Sequence, residues 1–233
     1  MTSLIPALLL LLSPQAESAE ETFKKIGDTV LKAKSVRVDF QWDGASRAEA
    51  GGKVEAAGSV LLKEGNRANL VATVTEKGHP SELRIISDGS TVKTKLGPRR
   101  MLECPVPKNL ETGMKMSLHR LGAMQAVLIA HKVCMLDVDD QEEALDMSKK
   151  PRLYDFKNGP DDGDSRTITY KISPDGPDTV AEIKLWYEPE SFRLVKRTIT
   201  LKQPAESVFT ESYKEWAIDG DLENDEFTVP SVK

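Results

Sequence analysis

The stretch KVEAAGSVLLKEGNRANLVATVT, residues 53–75, decides the fold class. Apolar or small residues occupy every second position in two successive segments, 53–63 and 67–75. They are Val54, Ala56, Gly58, Val60 and Leu62 in the first segment, and Ala68, Leu70, Ala72 and Val74 in the second. Because side chains alternate between the two faces of a strand, this pattern predicts two β-strands of a sheet with one buried face.

The same alternation extends in both directions from this stretch. Upstream, residues 35–44 alternate, and downstream, residues 82–96 predict two strands around a turn at Asp88 and Gly89. Further strands are predicted within RLYDF, RTITYKI, TVAEIKLWYEPESFRLVKRTITL and SVFTESYKEWAI. The sequence therefore predicts about nine or ten antiparallel strands. Strands do not alternate with helices along the chain, which argues against a doubly wound parallel sheet.

Two segments show helical rather than strand periodicity. Residues 19–34 have the spacing of an amphipathic first helix. Residues 114–135, MKMSLHRLGAMQAVLIAHKVCM, predict one further helix, which is buried because its middle, residues 121–130, is apolar on nearly every side. The flanking segments 97–109 and 137–151 are predicted to be a proline-punctuated loop and a charged connection.

The two strand sets, before and after this helix, are predicted to belong together. Each set alone exposes an apolar face that the helices can cover, so residues 20–233 are expected to form a single domain. The long connection between the sets leaves two small domains as the alternative.

The first 19 residues have the composition of a secretory signal peptide. Their apolar run, residues 4–12, is shorter than the ~20 residues that a membrane span needs. Small residues follow, and cleavage is expected near residues 16–18 or just after Ala19. No Lys or Arg precedes the run, so the usual positive segment is missing. We expect a periplasmic or otherwise extracytoplasmic protein without stable membrane insertion.

Charge and cysteine content bound the partners and the redox state. The net charge is −5, and residues of both signs are mixed along the chain. Nucleic acid binding requires a clustered excess of basic residues, so no nucleic acid partner is expected. The two cysteines, Cys104 and Cys134, are a disulfide candidate in an oxidising compartment. Two buried free thiols are the alternative.

The sequence contains no residue pattern that argues for catalysis, a cofactor or a metal. His131 and Cys134 have ligand spacing, but His119 would lie about 18 Å from His131 on one continuous helix, too far to share a zinc ion. The run DVDDQEEALD lacks the glycine and the closing glutamate of a calcium loop, and DDGD at residues 161–164 reads as a solvated turn. No nucleophile elbow, phosphate-binding loop or Cys-x-x-Cys pair is present. We therefore expect a protein that is not an enzyme.

Four stretches, in order and spacing, resemble a known family. They are EAAGSVLLKEGNRANL (55–70), LRIISDGSTVKTKL (83–96), IKLWYEPESFRLVKRTI (183–199) and YKEWAIDGDLENDEFTVP (213–230). They are similar to the glycine-then-strand, the strand with an Asp-Gly turn, the Trp-x-Asp-Pro-type hairpin and the closing segment of the outer-membrane lipoprotein carrier (LolA/LolB-like) superfamily. The stretches, with the first helix, cover most of the chain that follows the signal.

The resemblance implies a mainly β (α+β) fold: a single curved antiparallel sheet that forms an incomplete β-barrel, with helices covering its concave face. It implies a cavity for acyl chains or another apolar ligand, with the methionine-rich helix as a lid, because methionine adapts to irregular apolar partners. The expected partner is a lipid or a lipidated protein, possible roles include lipoprotein sorting, and a monomer is expected. The candidate lining residues are Phe40, Trp42, Val60, Leu70, Val74, Met124, Leu128 and Tyr170.

The sequence departs from the family at several points, one of which concerns a contact of the cavity. Where the carriers have an Arg-Pro pair that helps hold the closed state, this chain has Lys63 and Glu64. Lys63 is therefore the candidate polar contact of the cavity. The second hypothesis is an envelope sensor or scaffold that uses the same fold to contact another protein, with its cavity filled by its own side chains. An enzyme is the third.

Overall fold

The computed structural model describes residues 17–46, 53–98, 101–147, 151–173, 181–201 and 206–228. The predicted signal peptide, residues 1–19, lies outside the described residues except for its last three.

Eleven strands form one sheet in which every neighbouring pair is antiparallel. They are β1 (Ser35–Ser46), β2 (Lys53–Lys63), β3 (Arg67–Glu76), β4 (His79–Asp88), β5 (Thr91–Leu96), β6 (Leu102–Pro105), β7 (Arg152–Asn158), β8 (Arg166–Ser173), β9 (Ala181–Tyr187), β10 (Leu194–Leu201) and β11 (Ser207–Ile218). Their order is β6-β5-β4-β3-β2-β1-β11-β10-β9-β8-β7. Over the described residues the end strands β6 and β7 do not pair, so the sheet is an incomplete barrel, and the predicted fold class is confirmed.

The first and last strands join the two halves of the sheet at its centre. In the β1–β11 register Val38 lies opposite Trp216 and Phe40 opposite Tyr213, so a bulge skips Lys214. Because the bulge adds one residue to the alternation, Tyr213 and Trp216 both face the core, where their ring centroids are 4.9 Å apart.

Four α-helices and one 3-10 helix accompany the sheet. They are α1 (Ala19–Lys32), α2 (Leu110–Arg120), α3 (Ala123–Val133), α4 (Val138–Leu145) and a C-terminal 3-10 helix (Asn224–Phe227). The helix predicted from residues 19–34 is confirmed as α1. It begins with a capping box, because the Ser18 hydroxyl accepts a hydrogen bond from the Glu21 N–H (3.2 Å) and the Glu21 carboxylate accepts one from the Ser18 N–H (3.0 Å).

The structure corrects three predictions about the middle of the chain. The single helix predicted over residues 114–135 is two helices, α2 and α3, because Gly122 between them has a φ of +110° that a helix cannot contain. The predicted loop at 97–109 contains the edge strand β6, whose mostly exposed side chains lack an alternating pattern. The predicted charged connection at 137–151 contains the short helix α4.

Helices α1, α2 and α3 pack on the inner face of the sheet. The core includes Leu110, Met114 and Leu118 of α2 and Ala126 and Val127 of α3, all fully buried. Their partners are inward residues of the strands, among them Val38, Phe40, Val60 and Leu70. The buried faces of α2 and α3 thus account for much of the apolar character of the methionine-rich segment, whereas Leu128 and Met135 are exposed.

Of the helices in the described ranges, none has both the length and the apolar character that crossing a bilayer requires.

Candidate ligand site

An apolar cleft of about 470 Å³ opens between the α2–α3 junction and the C-terminal half of the sheet. It is lined by Trp42, Leu121, Gln125, Met147, Pro151, Ile172, Ala181, Ile199, Leu201 and Phe209. Gln125 is the one side chain in this lining with a hydrogen-bonding amide. A volume of this size lies within the roughly 300–1,000 Å³ of small-molecule sites, and the lining suits an apolar ligand.

A second depression, of about 860 Å³, lies beside α4 and has a different chemistry. Its walls are mostly acidic or polar: Asn109, Asp140, Glu142, Glu143, Ala144, Asp146 and Met147. Although it is larger, an apolar ligand would gain little by entering it, because burial of apolar area supplies the driving force. The apolar cleft is therefore the candidate site.

Two stacked aromatic rings form one wall of the cleft. Trp42 of β1 and Phe209 of β11 have ring centroids 5.1 Å apart and planes inclined by 15°. Gly44 makes room for both, because a Cβ there would lie 2.6 Å from Phe209 Cδ1 and 2.8 Å from Trp42 Cη2. The glycine thus lets two large rings share one small area of the inner face.

Two charged residues lie next to the cleft on the same inner face. On β10, Arg197 precedes the lining residue Ile199 by two positions, and on β11, Glu211 follows the lining residue Phe209 by two. Because side chains two positions apart share a face, both point inwards. Arg197 is fully buried and Glu211 is 3% exposed. Inward positions of a sheet normally hold apolar residues, so this pair has a specific role.

Three side chains of the sheet bind the backbone of the α2–α3 junction. Glu211 accepts hydrogen bonds from the N–H groups of Ala123 (2.7 Å) and Met124 (2.9 Å), so its carboxylate caps the start of α3. Arg197 Nη2 donates to the carbonyl of His119 (2.5 Å). The Tyr170 hydroxyl donates to the carbonyl of Arg120 (2.9 Å). The helix pair is thus held over the sheet next to the cleft.

His119, near this junction, is buried and neutral. Its Nε2 lies 3.0 Å from the carbonyl oxygen of Phe23. Because a carbonyl oxygen can only accept a hydrogen bond, Nε2 is the donor. Burial, assisted by the positive charge of Arg197, lowers the pKa of His119 to about 3. Gly27 of α1 allows this contact, because a Cβ there would lie 2.6 Å from His119 Cε1. Burial also raises the pKa of Tyr213 well above its usual value, so this phenol is uncharged.

The residues predicted to line a cavity occupy different places. Trp42 lines the cleft. Phe40, Val60, Leu70, Met124 and Tyr170 are buried in the core, and Val74 is partly buried against it. Leu128 is 36% exposed, on the side of α3 that faces away from the core. Seven of the eight therefore lie outside the lining of the cleft as it stands.

Lys63 lies on the outer face of the sheet. It occupies the same face of β2 as Leu61, whereas Val60 and Leu62 face the core. Its Nζ donates to the carbonyl of Leu222 (2.6 Å) and to Asn224 Oδ1 (3.1 Å), so it binds the C-terminal segment. This contact differs from the predicted one with a ligand, because alternation places odd-numbered residues of β2 outside.

Cys104 and Cys134 are joined by a disulfide, with Cα atoms 5.3 Å apart. The bond links the edge strand β6 to the residue that follows α3. Nearby, Thr94 Oγ1 and His131 Nδ1 are 2.7 Å apart, which gives the end of α3 a second connection to the sheet.

Sequence reasoning missed most of the site. Arg197 and Glu211 were not selected, although each stands at an inward position within an alternating strand. The sequence does mark them, because each is a charged residue at a strand position where the alternation predicts an apolar one. The remaining lining residues come from segments distant in sequence, which only the strand order brings together.

No family model matches the sequence, and no curated protein matches it. Solved structures similar to the chain include a LolA superfamily protein from Nitrosomonas europaea, with 14% identity, a TM-score of 0.35, and coverage of 92% of this chain and 99% of that chain. LprF from Mycobacterium bovis has 14% identity, a TM-score of 0.40, and coverage of 85% and 92%. A protein domain named for outer membrane lipoprotein sorting, from Vibrio parahaemolyticus, has 10% identity, a TM-score of 0.37, and coverage of 90% and 95%. The first of these solved structures is named for the superfamily that the four sequence stretches resemble.

Proposed function

We propose that this chain is an extracytoplasmic, periplasmic carrier that holds acyl chains or another apolar ligand in the apolar cleft, without changing the ligand chemically. The observation that carries the proposal is the cleft itself, with nine of its ten lining residues apolar or aromatic and Gln125 the exception. A lipid or a lipidated protein is the class of partner that such a surface fits, and lipoprotein sorting is the most specific form of the proposal.

Burial of the ligand supplies the free energy of binding. Removing apolar surface from water is favourable by ~25 cal/mol per Å². The ligand and the cleft wall both contribute such surface, because Trp42, Phe209 and their neighbours expose their side chains to the cleft. Part of this gain is offset by the lost freedom of the ligand, so affinity depends on chain length and on how much of the chain is enclosed.

The α2–α3 junction is the movable wall in this proposal. Leu121 and Gln125 line the cleft and stand on either side of Gly122. Backbone groups of the junction are joined to the sheet by hydrogen bonds that Arg197 and Tyr170 donate and Glu211 accepts. Entry of a long chain would widen the cleft by shifting this junction, at the cost of those few bonds.

The test is displacement of a fluorescent fatty acid from the purified protein. Replacement of Ile199 by Asp places a charge in the cleft lining and should abolish uptake while the β-sheet circular dichroism signal survives. The matched control is Thr198→Asp, which adds the same charge to the next residue on the opposite face of β10 and should leave uptake unchanged. If both variants take up the fatty acid as well as the wild-type protein does, the cleft is not the binding site.

A scaffold or sensor is the second candidate, favoured by the filled N-terminal half of the inner face. Val60, Leu70 and Phe40 are covered by the protein's own helices, so that half offers no space to a ligand. If the cleft too closes on the molecule's own side chains in solution, the wild-type protein will take up no fatty acid. Native mass spectrometry of protein purified from a periplasmic expression host distinguishes the two candidates by the presence or absence of an extractable lipid mass.

A further inference from the structure

Arg197 is a buried cation with unused hydrogen-bonding capacity. Its side chain is fully buried, and one nitrogen, Nη2, donates to the His119 carbonyl. The other two, Nε and Nη1, have no hydrogen-bond partner among the described residues. Buried polar groups are nearly always paired, and a buried charge costs several kcal/mol unless it is compensated. An open guanidinium in this position is therefore a feature that a ligand would explain.

Glu211 does not satisfy these nitrogens. Its two carboxylate oxygens accept hydrogen bonds from Ala123 and Met124 at the start of α3. No ion pair within 4.0 Å joins it to Arg197 in the described part of the chain. Arg197 thus keeps open hydrogen-bonding groups on the inner face of the sheet.

These open groups lie next to the apolar cleft. Arg197 is two residues from the lining residue Ile199 on the same face of β10, a distance of about 7 Å along a strand. Gly122, beside the lining residue Leu121, packs against this arginine, since its Cβ position would lie 3.1 Å from Arg197 Nη1. A cation with open hydrogen-bond donors therefore lies next to an apolar cleft.

The geometry points to a ligand with a single long apolar chain that ends in a carboxylate, whose chain lies in the cleft and whose head group accepts hydrogen bonds from Arg197. This inference rests on the proposed function and adds the charge of the ligand to it. A carboxylate is the natural partner of a guanidinium, and the bond between two charged groups is about twice as strong as a neutral one.

The experiment compares three amphiphiles that share one chain and differ in charge. Dodecanoate, dodecanol and dodecylammonium are titrated into the wild-type protein by calorimetry. We expect dodecanoate to bind roughly 10- to 100-fold more tightly than dodecanol, the factor that one hydrogen bond to a charged group supplies, and dodecylammonium to bind more weakly than either.

Arg197→Met isolates the guanidinium. A methionine of similar length removes the charge. Circular dichroism and a melting curve verify that the variant is folded before its binding is measured. In this variant the preference for dodecanoate should disappear, and dodecylammonium should gain because Glu211 is then the nearest charge. The matched control is Lys196→Met, which removes the same charge from the opposite face of β10, where Lys196 lies 4.7 Å from the Trp186 ring, and should keep the preference.

The outcomes separate this inference from the proposed function. If wild-type protein binds dodecanol as tightly as dodecanoate, or if Arg197→Met keeps the preference, the anionic ligand is refuted while the apolar cleft stands. If none of the three amphiphiles binds, the proposed function fails and the inference fails with it.

Discussion

Arg197 and Glu211 lie directly opposite each other on the neighbouring strands β10 and β11, and both face the core. A Cβ added to Gly122 would lie 2.7 Å from Glu211 Oε1 and 3.1 Å from Arg197 Nη1. The two opposite charges therefore surround the break between α2 and α3, and each binds one side of it through the backbone. This arrangement couples the helix pair to the sheet.

Removal of the anion alone should be costly. In Glu211→Leu two N–H groups of α3 lose their acceptor and Arg197 loses its nearest negative charge, so we expect a loss of about 3–5 kcal/mol in the free energy of unfolding. The double variant Arg197→Met/Glu211→Leu should recover much of this loss, because no unpaired buried charge remains. Urea denaturation measures all three proteins. Equal stability of the single and double variants would show that the two charges are uncoupled.

Acid should destabilise the fold through His119. Its pKa is about 3 in the folded protein and 6.5 when unperturbed, so between these values the unfolded chain binds one more proton. The free energy of unfolding therefore decreases as the pH falls from 6.5 towards 3, by roughly 3 kcal/mol between pH 6.5 and pH 4. Well above pH 6.5 His119 is neutral in both the folded and the unfolded chain, so it no longer lowers the free energy of unfolding.

His119→Gln tests the source of that slope. Glutamine keeps an N–H donor for the Phe23 carbonyl and does not titrate, so this part of the pH dependence should vanish. His79→Gln, at an exposed position, is the matched control and should keep the wild-type slope. Urea denaturation at half-unit pH steps is sufficient, and an unchanged slope in His119→Gln would assign the acid sensitivity to other groups.

Gly122→Ala should lower stability by about 1–3 kcal/mol. The φ of +110° is strained for any residue with a Cβ, and that Cβ would collide with Glu211 Oε1. Gly220→Ala is the control, because a Cβ there meets nothing within 4 Å. The difference in melting temperature between the two variants isolates the junction, and an equal shift in both would mean that Gly122 tolerates a side chain.

The disulfide should add about 3–4 kcal/mol to the free energy of unfolding, because it closes a loop with a sequence separation of 30 and so lowers the entropy of the unfolded chain. Cys104→Ala/Cys134→Ala should lose that amount in urea denaturation at neutral pH. Wild-type protein with a reducing agent should approach the double variant, and the double variant itself should not respond to the reductant. A wild-type curve that reduction leaves unchanged would contradict a stabilising bond.

The strands were predictable because their inward residues obey one simple rule. Wherever a strand buries one face, apolar residues recur with period 2, and ten strands follow from that pattern. The edge strand β6 was missed because its side chains are mostly exposed, so no alternation marks it. The break at Gly122 was not predicted because a glycine within an apolar helical pattern is compatible with a helix; the contacts of Arg197 and Glu211 fix it in the extended turn.

The site was largely out of reach of the sequence. Its walls come from β1, the α2–α3 junction and the strands β8 to β11, and no sequence spacing reveals that these segments meet. Most of the residues chosen from the sequence share the inner face but lie under the helices, as Val60 and Leu70 do. Which part of an apolar face a helix covers depends on packing between distant elements rather than on the local pattern.

The pairing of β1 with β11 also determines when the molecule can fold. Residue 36 contacts residue 218, so the central strand pair of the sheet joins the beginning and the end of the chain. Closing so long a loop is slow, and the pair cannot form before the last strand has been synthesised. The nascent chain therefore lacks the central strand pair of the sheet until the residues of β11 have been added.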